Sequence, residues 1–267
     1  MTAAPSTASG AAVSERGRLR LSGVSKVFGR GDAQVVALEG VDLDIAPGEF
    51  VAVVGGSGCG KSTMLSLAAG LEQPTTGTIT ANGGVALMFQ ESTLLPWLTA
   101  AQNVELALRL RGVGKDERRQ RARELLAKVR LGRHVDQRPH ELSGGMRQRV
   151  ALARVLAQES AIVLMDEPLG ALDAMTRDQM HDLIESVWQE AGFTCVFVTH
   201  NVREAVRLAD RSILMGSRPG RVIHAQPNTL PRPRRLDSSL LVEMSADLTR
   251  RLKEEVAVHD DADYFTI

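Results

Sequence analysis

A chain of 267 residues with 43% hydrophobic content holds enough apolar material for one large domain, or for a domain with a subdomain. Lys+Arg and Asp+Glu both number 32 and aromatics make up 3%, which excludes a broad basic face or a base-stacking platform for nucleic acid. The two cysteines, Cys59 and Cys195, form no CxxC pair or metal-spaced cluster, and no apolar run approaches bilayer length. These features predict a soluble chain in a reducing cytoplasm that meets any membrane through a partner.

Residues 1–17 are rich in Ala, Ser and Thr and lack a long apolar stretch, so the expectation is a disordered tail and not a signal peptide. Residues 18–45 alternate apolar and polar, broken by the turn residues Gly29-Arg30-Gly31-Asp32, which predicts an antiparallel hairpin region. Pro47-Gly48 marks a second turn. Three short apolar runs follow along the chain: Phe50-Val51-Ala52-Val53-Val54, Ala161-Ile162-Val163-Leu164-Met165 and Cys195-Val196-Phe197-Val198. Such runs suit strands buried on both faces of a parallel sheet, and helical patterns separate them, so the fold class is α/β. Between the first two, residues 104–110, 117–131 and 145–157 show helical spacing, which reads as a helical subdomain inserted at about residues 91–158. The charged run at 115–124 is expected to be its solvated face. Residues 182–190, around Trp188, show a further helical pattern. After Arg221 the chain is expected to become irregular, with Pro231, Arg232, Pro233, Arg234 and Arg235 strapped over the core.

Gly55-Gly56-Ser57-Gly58-Cys59-Gly60-Lys61-Ser62 matches GxxxxGK[ST] and directly follows the first buried strand. Glycines let successive N–H groups turn inward onto phosphate oxygens, and the helix beginning near Lys61 adds its positive end. Lys61 supplies a point charge to the β- and γ-phosphates, the Ser62 hydroxyl is a Mg²⁺ ligand, and Thr63 completes the cradle. A chance Gly-rich turn at this junction is remote. Cys59, beside Lys61, is an expected target for thiol reagents. The second buried strand ends in Asp166-Glu167-Pro168. Adjacent carboxylates at a strand end are costly without a cation or a proton relay. Asp166 is assigned to Mg²⁺, and Glu167 to orienting or deprotonating the attacking water. The third strand ends in Thr199-His200, at the edge where open α/β sheets bind ligands, and His200 is assigned to the γ-phosphate. A lone His is more often structural, and the assignment leans on this position.

These motifs alone describe a P-loop nucleotidase. Leu142-Ser143-Gly144-Gly145-Met146-Arg147-Gln148-Arg149 resembles the signature of ABC ATPases, LSGGQ followed by a basic helix. The rest of the ordered set is similar to that family as well. Phe28 stands at the adenine-stacking aromatic, Gln90 at the Q-loop, Gly170-Ala171-Leu172-Asp173 at the D-loop and Thr199-His200 at the switch histidine. Met146 replaces the usual Gln, and Gly170 a common Ser. The resemblance implies a cassette over residues 18–225, a P-loop NTPase core with an N-terminal antiparallel β subdomain and the inserted helical subdomain, followed by an extension at 226–267. It implies that Ser143 and the Gly144 and Gly145 amides contact ATP held by a second copy, and that Gln90 ligates Mg²⁺ or the water. Paired cassettes would close on ATP and open after hydrolysis.

Leu94-Leu95-Pro96-Trp97-Leu98-Thr99, Asn103-Val104, Ser217-Arg218-Pro219-Gly220-Arg221-Val222 and Leu230-Pro231-Arg232-Pro233-Arg234 look like segments of nitrate, sulfonate and taurine importers. That resemblance implies two integral-membrane permease subunits, a solute-binding protein acting through them, and a peripheral place on the cytoplasmic face of the cell membrane. The plainer reading of Trp97 is a partly buried core residue, and the two roles are compatible. The competing readings are an ABC ATPase for a different solute, an export or lipoprotein-release cassette, and a non-transport ABC ATPase. DNA-repair relatives carry long coiled-coil or zinc insertions, whereas here about eighty residues separate Lys61 from Ser143, with no heptad run or Cys cluster.

Overall fold

The computed structural model describes residues 15–235 and 238–264, with the side chains of Asp32 and of residues 256–264 left aside. Nine strands and seven α-helices follow in chain order among the described residues, with short 3-10 turns at Gly31–Ala33 and Pro139–Glu141. They are β1 (Leu19–Phe28), β2 (Val35–Ile45), β3 (Phe50–Gly55), α1 (Lys61–Ala68), β4 (Thr76–Ala81), β5 (Val85–Met88), α2 (Ala100–Leu110), α3 (Lys115–Lys128), α4 (Gly144–Leu156), β6 (Ile162–Asp166), α5 (Ala174–Ala191), β7 (Thr194–Thr199), α6 (Val202–Leu208), β8 (Arg211–Gly216), β9 (Arg221–Pro227) and α7 (Ser239–Tyr264).

The strands form two sheets. One is antiparallel, in the order β2-β1-β4; the other has the order β5-β6-β7-β3-β8-β9 and is parallel except for the β8–β9 pair. The three apolar runs are the central strands β3, β6 and β7, and every residue of β3 and β7 is buried. Alternation of period two splits their side chains between two cores. Val51, Val53, Ile162, Leu164, Val196 and Val198 join α1 and the antiparallel sheet. Phe50, Ala52, Val54, Val163, Met165 and Phe197 face the helices. Sandwiching a parallel sheet this way leaves its strand C-termini as the open edge where a ligand can sit.

Helices α2, α3 and α4 occupy the stretch between β5 and β6. Thr99 starts α2 with a reciprocal capping box to Gln102. The charged face of α3 is anchored as well as solvated: Arg121 meets Glu159 at 2.7 Å and Lys128 meets Glu190 at 2.7 Å, tying the helix to the core.

Two expectations at the ends need revision. Of the expected tail at 1–17, residues 1–14 lie outside the described residues, and Gly17 is tied to the sheet. Its amide donates to Asn82 O at 2.6 Å, and its carbonyl accepts from Thr194 Oγ1 at 2.6 Å. The chain after Arg221 is not irregular: β9 pairs with β8, and α7 follows with Leu241 and Leu248 buried. A boundary at 225 would therefore cut β9. The strand escaped notice because it is an edge strand with mostly half-exposed residues. The arginine strap is present between these elements. Arg232 bonds Glu185 and Asp210 at 2.8 Å each and lies 4.5 Å from the Trp188 ring centroid. Arg234 donates to the carbonyls of Leu230, Asn228 and Ala209.

Candidate functional site: a phosphate cradle with an acid–imidazole pair

The loop between β3 and α1 turns on two left-handed glycines, Gly58 (φ 75°) and Gly60 (φ 87°). A side chain at Gly60 would also strike Ala37 O at 2.7 Å, so both torsion and space require glycine there. Lys61 folds back over the loop, and its Nζ donates to Gly55 O at 2.9 Å and Gly56 O at 2.8 Å. Only 7% of the residue is exposed. The ammonium is thus held over the loop by two carbonyls, ready for a stronger acceptor. Ser57, Gly58, Cys59, Gly60, Lys61, Ser62 and Thr63 line one open cavity of about 650 Å³ together with Glu167 and His200.

Asp166, at the end of β6, has the Ser62 hydroxyl as hydrogen-bonding neighbour. Burial pushes its carboxyl above the usual range, and the Glu167 charge adds to this, against Ser62 and Lys61. A carboxylate in this position gains from a cation. Among the described residues no cluster of three or more His, Cys, Asp or Glu can hold a metal. The available donors, a hydroxyl and a carboxylate, are hard oxygens of the kind that bind Mg²⁺ alongside phosphate and water.

Glu167 has φ 43°, a left-handed conformation that is unfavourable for a residue with a side chain. Its amide donates to Val198 O at 3.0 Å. The strained turn aims the carboxylate at the strand edge, where Oε2 meets His200 Nδ1 at 2.9 Å. The side chains of Glu167 and His200 are 22% and 63% exposed, so the pair opens to the cavity. Gln90, in the loop after β5, comes near: its Nε2 and Glu167 Oε2 lie 3.6 and 3.8 Å from where a Cβ on Gly170 would stand. These are ordinary contact distances, so the Gly170 departure costs no packing.

Not every expected residue gathers there. Phe28 is exposed, with Lys26 Nζ 4.8 Å from its ring centroid; its register partner Val35 lines the cavity, but Phe28 does not. Gly55, Gly56, Gln90 and Asp166, and likewise Ser143, Gly144, Gly145 and Asp173, also lie outside the lining. Ser143 caps α4, accepting from Met146 N at 3.2 Å, and Asp173 caps α5, accepting from Thr176 N at 3.0 Å. That backbone amide holds the Asp173 carboxyl below its usual range. The two caps are neighbours, because a Cβ on Gly145 would fall 2.4 Å from Thr176 Cγ2. Cys59 is no exposed thiol: it is fully buried, and burial raises its pKa despite the nearby Lys61 charge.

The sequence reading missed three contributors. Arg218 lines the cavity. Gln148 Nε2 donates to Gln90 O at 2.6 Å, and Arg154 donates to Ser92 O and Thr93 O at 3.0 and 2.8 Å, so α4 grips the loop that carries Gln90. For Gln148 and Arg154, polarity at buried or half-buried positions of α4 was the available signal, whereas Arg218 is an exposed turn residue that carries none. Beyond the cavity, Asn103 is buried and bonds the backbone of Leu95, Leu98 and Thr99. The loop it shapes presents Trp97, which is 67% exposed and not a core residue.

The family model described as ABC transporter matches residues 38–170. An aliphatic sulfonates import ATP-binding protein of Mesorhizobium japonicum is 45% identical, over 90% of this chain and 91% of its own. A taurine import ATP-binding protein of Burkholderia pseudomallei is also 45% identical, over 75% of this chain and 80% of its own. Among solved structures, the dimeric post-hydrolysis state of the ATP-binding cassette MJ0796 bound to ADP and Pi superimposes with a TM-score of 0.71. It is 36% identical, and the match covers 78% of this chain and 98% of that one. These relatives, together with a cavity that joins the lysine-bearing loop to Glu167 and His200, show that the chain belongs to the ABC transporter family, as an ATP-binding and ATP-hydrolysing cassette.

Proposed function

We propose that the chain drives an importer of a small anion, a sulfonate or taurine or, as the sequence segments also allow, nitrate. Two copies pair on ATP at the cytoplasmic face of the cell membrane and engage two permease subunits, which receive the solute from a binding protein. Support for import comes from relatives that carry sulfonate and taurine import in their names. It also comes from exposed Trp97, which stands on a loop available to a membrane subunit. Among the described residues no helix is long and apolar enough to cross a membrane.

In this reading the β3–α1 loop amides and Lys61 hold the phosphates, and Phe28 stacks on adenine. Ser62, Asp166 and Gln90 hold Mg²⁺, which when bound neutralises phosphate charge. Glu167 takes a proton from the attacking water as its oxygen bonds the γ-phosphorus and the β–γ bridging bond breaks, giving ADP and phosphate. His200 keeps the Glu167 carboxylate oriented and hydrogen-bonds the γ-phosphate. Ser143, Gly144, Gly145 and Asp173 serve the nucleotide of the opposite copy.

The observation that carries the reading is the 2.9 Å contact between Glu167 and His200 beside the lysine-bearing loop. Glu167→Gln keeps the shape and loses the base. It is expected to cut Mg-ATP turnover by about 100-fold or more and to trap an ATP-bound dimer visible by size-exclusion chromatography. Parental turnover in that variant would remove Glu167 from the chemistry.

A further inference from the structure

One buried carboxylate near this centre has no role in the chemistry above. Glu204 lies in the first turn of α6, and its side chain is 6% exposed. The helix does not need it as a cap, because Asn201 Oδ1 already accepts from Arg203 N at 3.0 Å. Burying a carboxylate costs several kcal/mol unless partners compensate, and here the partners come from separate segments. Glu204 Oε2 accepts from Thr199 Oγ1 at 2.6 Å, and Thr199 directly precedes His200. Oε1 faces Arg177 Nε at 3.5 Å and His181 Nε2 at 3.7 Å, both on α5, and Asn201 Nδ2 at 3.5 Å. Arg177 continues the connection, since its Nη2 donates to Leu172 O at 2.9 Å, one residue before Asp173.

We propose that Glu204 is a positioning residue that ties the Thr199-His200 switch, through Arg177, to the Leu172-Asp173 loop. The two segments then move as one unit when a γ-phosphate arrives or leaves. A carboxylate suits this task because one oxygen accepts from a hydroxyl while the other pairs by charge with a guanidinium 3.5 Å away, without a hydrogen bond between them. The inference rests on the reading of Glu167 and His200 as the hydrolytic pair.

The test uses the full chain with Thr199→Val, Thr199→Ser, Glu204→Gln, Arg177→Met and the Thr199→Val/Arg177→Met double variant. For each, kcat and KM for Mg-ATP, binding stoichiometry for a non-hydrolysed ATP analogue, and Tm are measured. Thr199→Val, Glu204→Gln and Arg177→Met should each lower kcat about tenfold, with KM within about twofold and unchanged stoichiometry. Thr199→Ser, which keeps the hydroxyl, should return to within about twofold of the parent, and the double variant should lose no more than the worse single. Losses that multiply, a Ser variant no better than Val, or stoichiometry that falls along with kcat would each overturn the coupling. If Glu204→Gln does not fold, the Thr199 and Arg177 variants carry the test. Glu167→Gln separates the two claims. If it retains activity, the hydrolytic reading fails; if it loses activity while these variants keep parental kcat, the coupling alone fails.

Discussion

Gly220→Ala tests whether the turn after β8 shapes the phosphate cradle. Gly220 is not in the left-handed region, so glycine is required there for space and not for torsion. A Cβ would stand 2.3 Å from Cys59 O, 2.8 Å from Ala37 O and 2.9 Å from Leu38 Cδ2. The first two are backbone atoms, and one belongs to the phosphate loop. The turn cannot retreat freely, since Gly220 N donates to Ala37 O at 3.1 Å and Gly220 O accepts from Glu39 N at 2.9 Å. Restoring a tolerable 3.0 Å contact therefore requires a shift of about 0.7 Å, taken largely by the Cys59 peptide. Ångström-scale misplacement of a reacting group costs up to about 100-fold, so kcat/KM for Mg-ATP should fall roughly 10- to 100-fold, or about 1.4–2.7 kcal/mol. Steady-state phosphate release measures this, with Gly114→Ala as the control, because nothing stands within 4 Å of a Cβ there. A Gly220→Ala chain with parental kcat/KM and parental Tm would refute the packing argument.

Arg232→Met removes two carboxylate contacts and the stack on Trp188 while leaving buried Glu185 without that partner. The expected cost is about 3–5 kcal/mol, read as a drop in Tm on the order of 10 °C; an unchanged Tm would show that the strap is idle. Because burial raises the Cys59 thiol, little thiolate exists near neutral pH. Iodoacetamide at pH 8 should label it far more slowly in the native chain than in urea, and equal rates would contradict its burial. Ser143→Glu should abolish Mg-ATP turnover and leave nucleotide binding by a single chain intact. Normal turnover in that variant would separate the signature from the reaction.

The parts of the fold visible in the sequence were those where burial on both faces leaves a pure signal. Strands β3, β6 and β7 show as apolar runs because every residue of β3 and β7, and most of β6, is buried. The cradle was legible because it is contiguous: backbone curvature, lysine and hydroxyl all come from one octapeptide. Strand β4 is mostly exposed and β9 is an edge, so their side chains follow no single face. Helix α7 went unread because the packing that orders it, Leu241 and Leu248 against the core that includes α6, depends on residues distant in the chain. Glu204 was invisible for a related reason. An acidic residue in a first helical turn is ordinary, and only the fold brings Thr199, Arg177 and His181 around it.

The two signature glycines separate what one chain needs from what a pair needs. Gly145 is explained within the chain, because any side chain there would collide with Thr176 at the start of α5. Gly144 is not: the nearest neighbour of a Cβ at that position is the far end of Arg147, at 3.9 Å. Its torsion is also ordinary, since Gly144 is absent from the left-handed set. A residue kept free of a side chain, exposed at the N-terminal end of a helix beside a capping serine, presents backbone donors to something outside the chain. The phosphate cavity has the converse geometry. Its floor is the β3–α1 loop and its wall is Glu167 and His200, and no signature residue closes the side that remains open. The lysine-bearing loop and the exposed helix end both present positive groups, so what can join them is an anion that one holds and the other meets from the open side. A second copy that brought its own helix end to a phosphate in this cavity would supply the missing side, and that is the physical reason for reading the cassette as half of a pair.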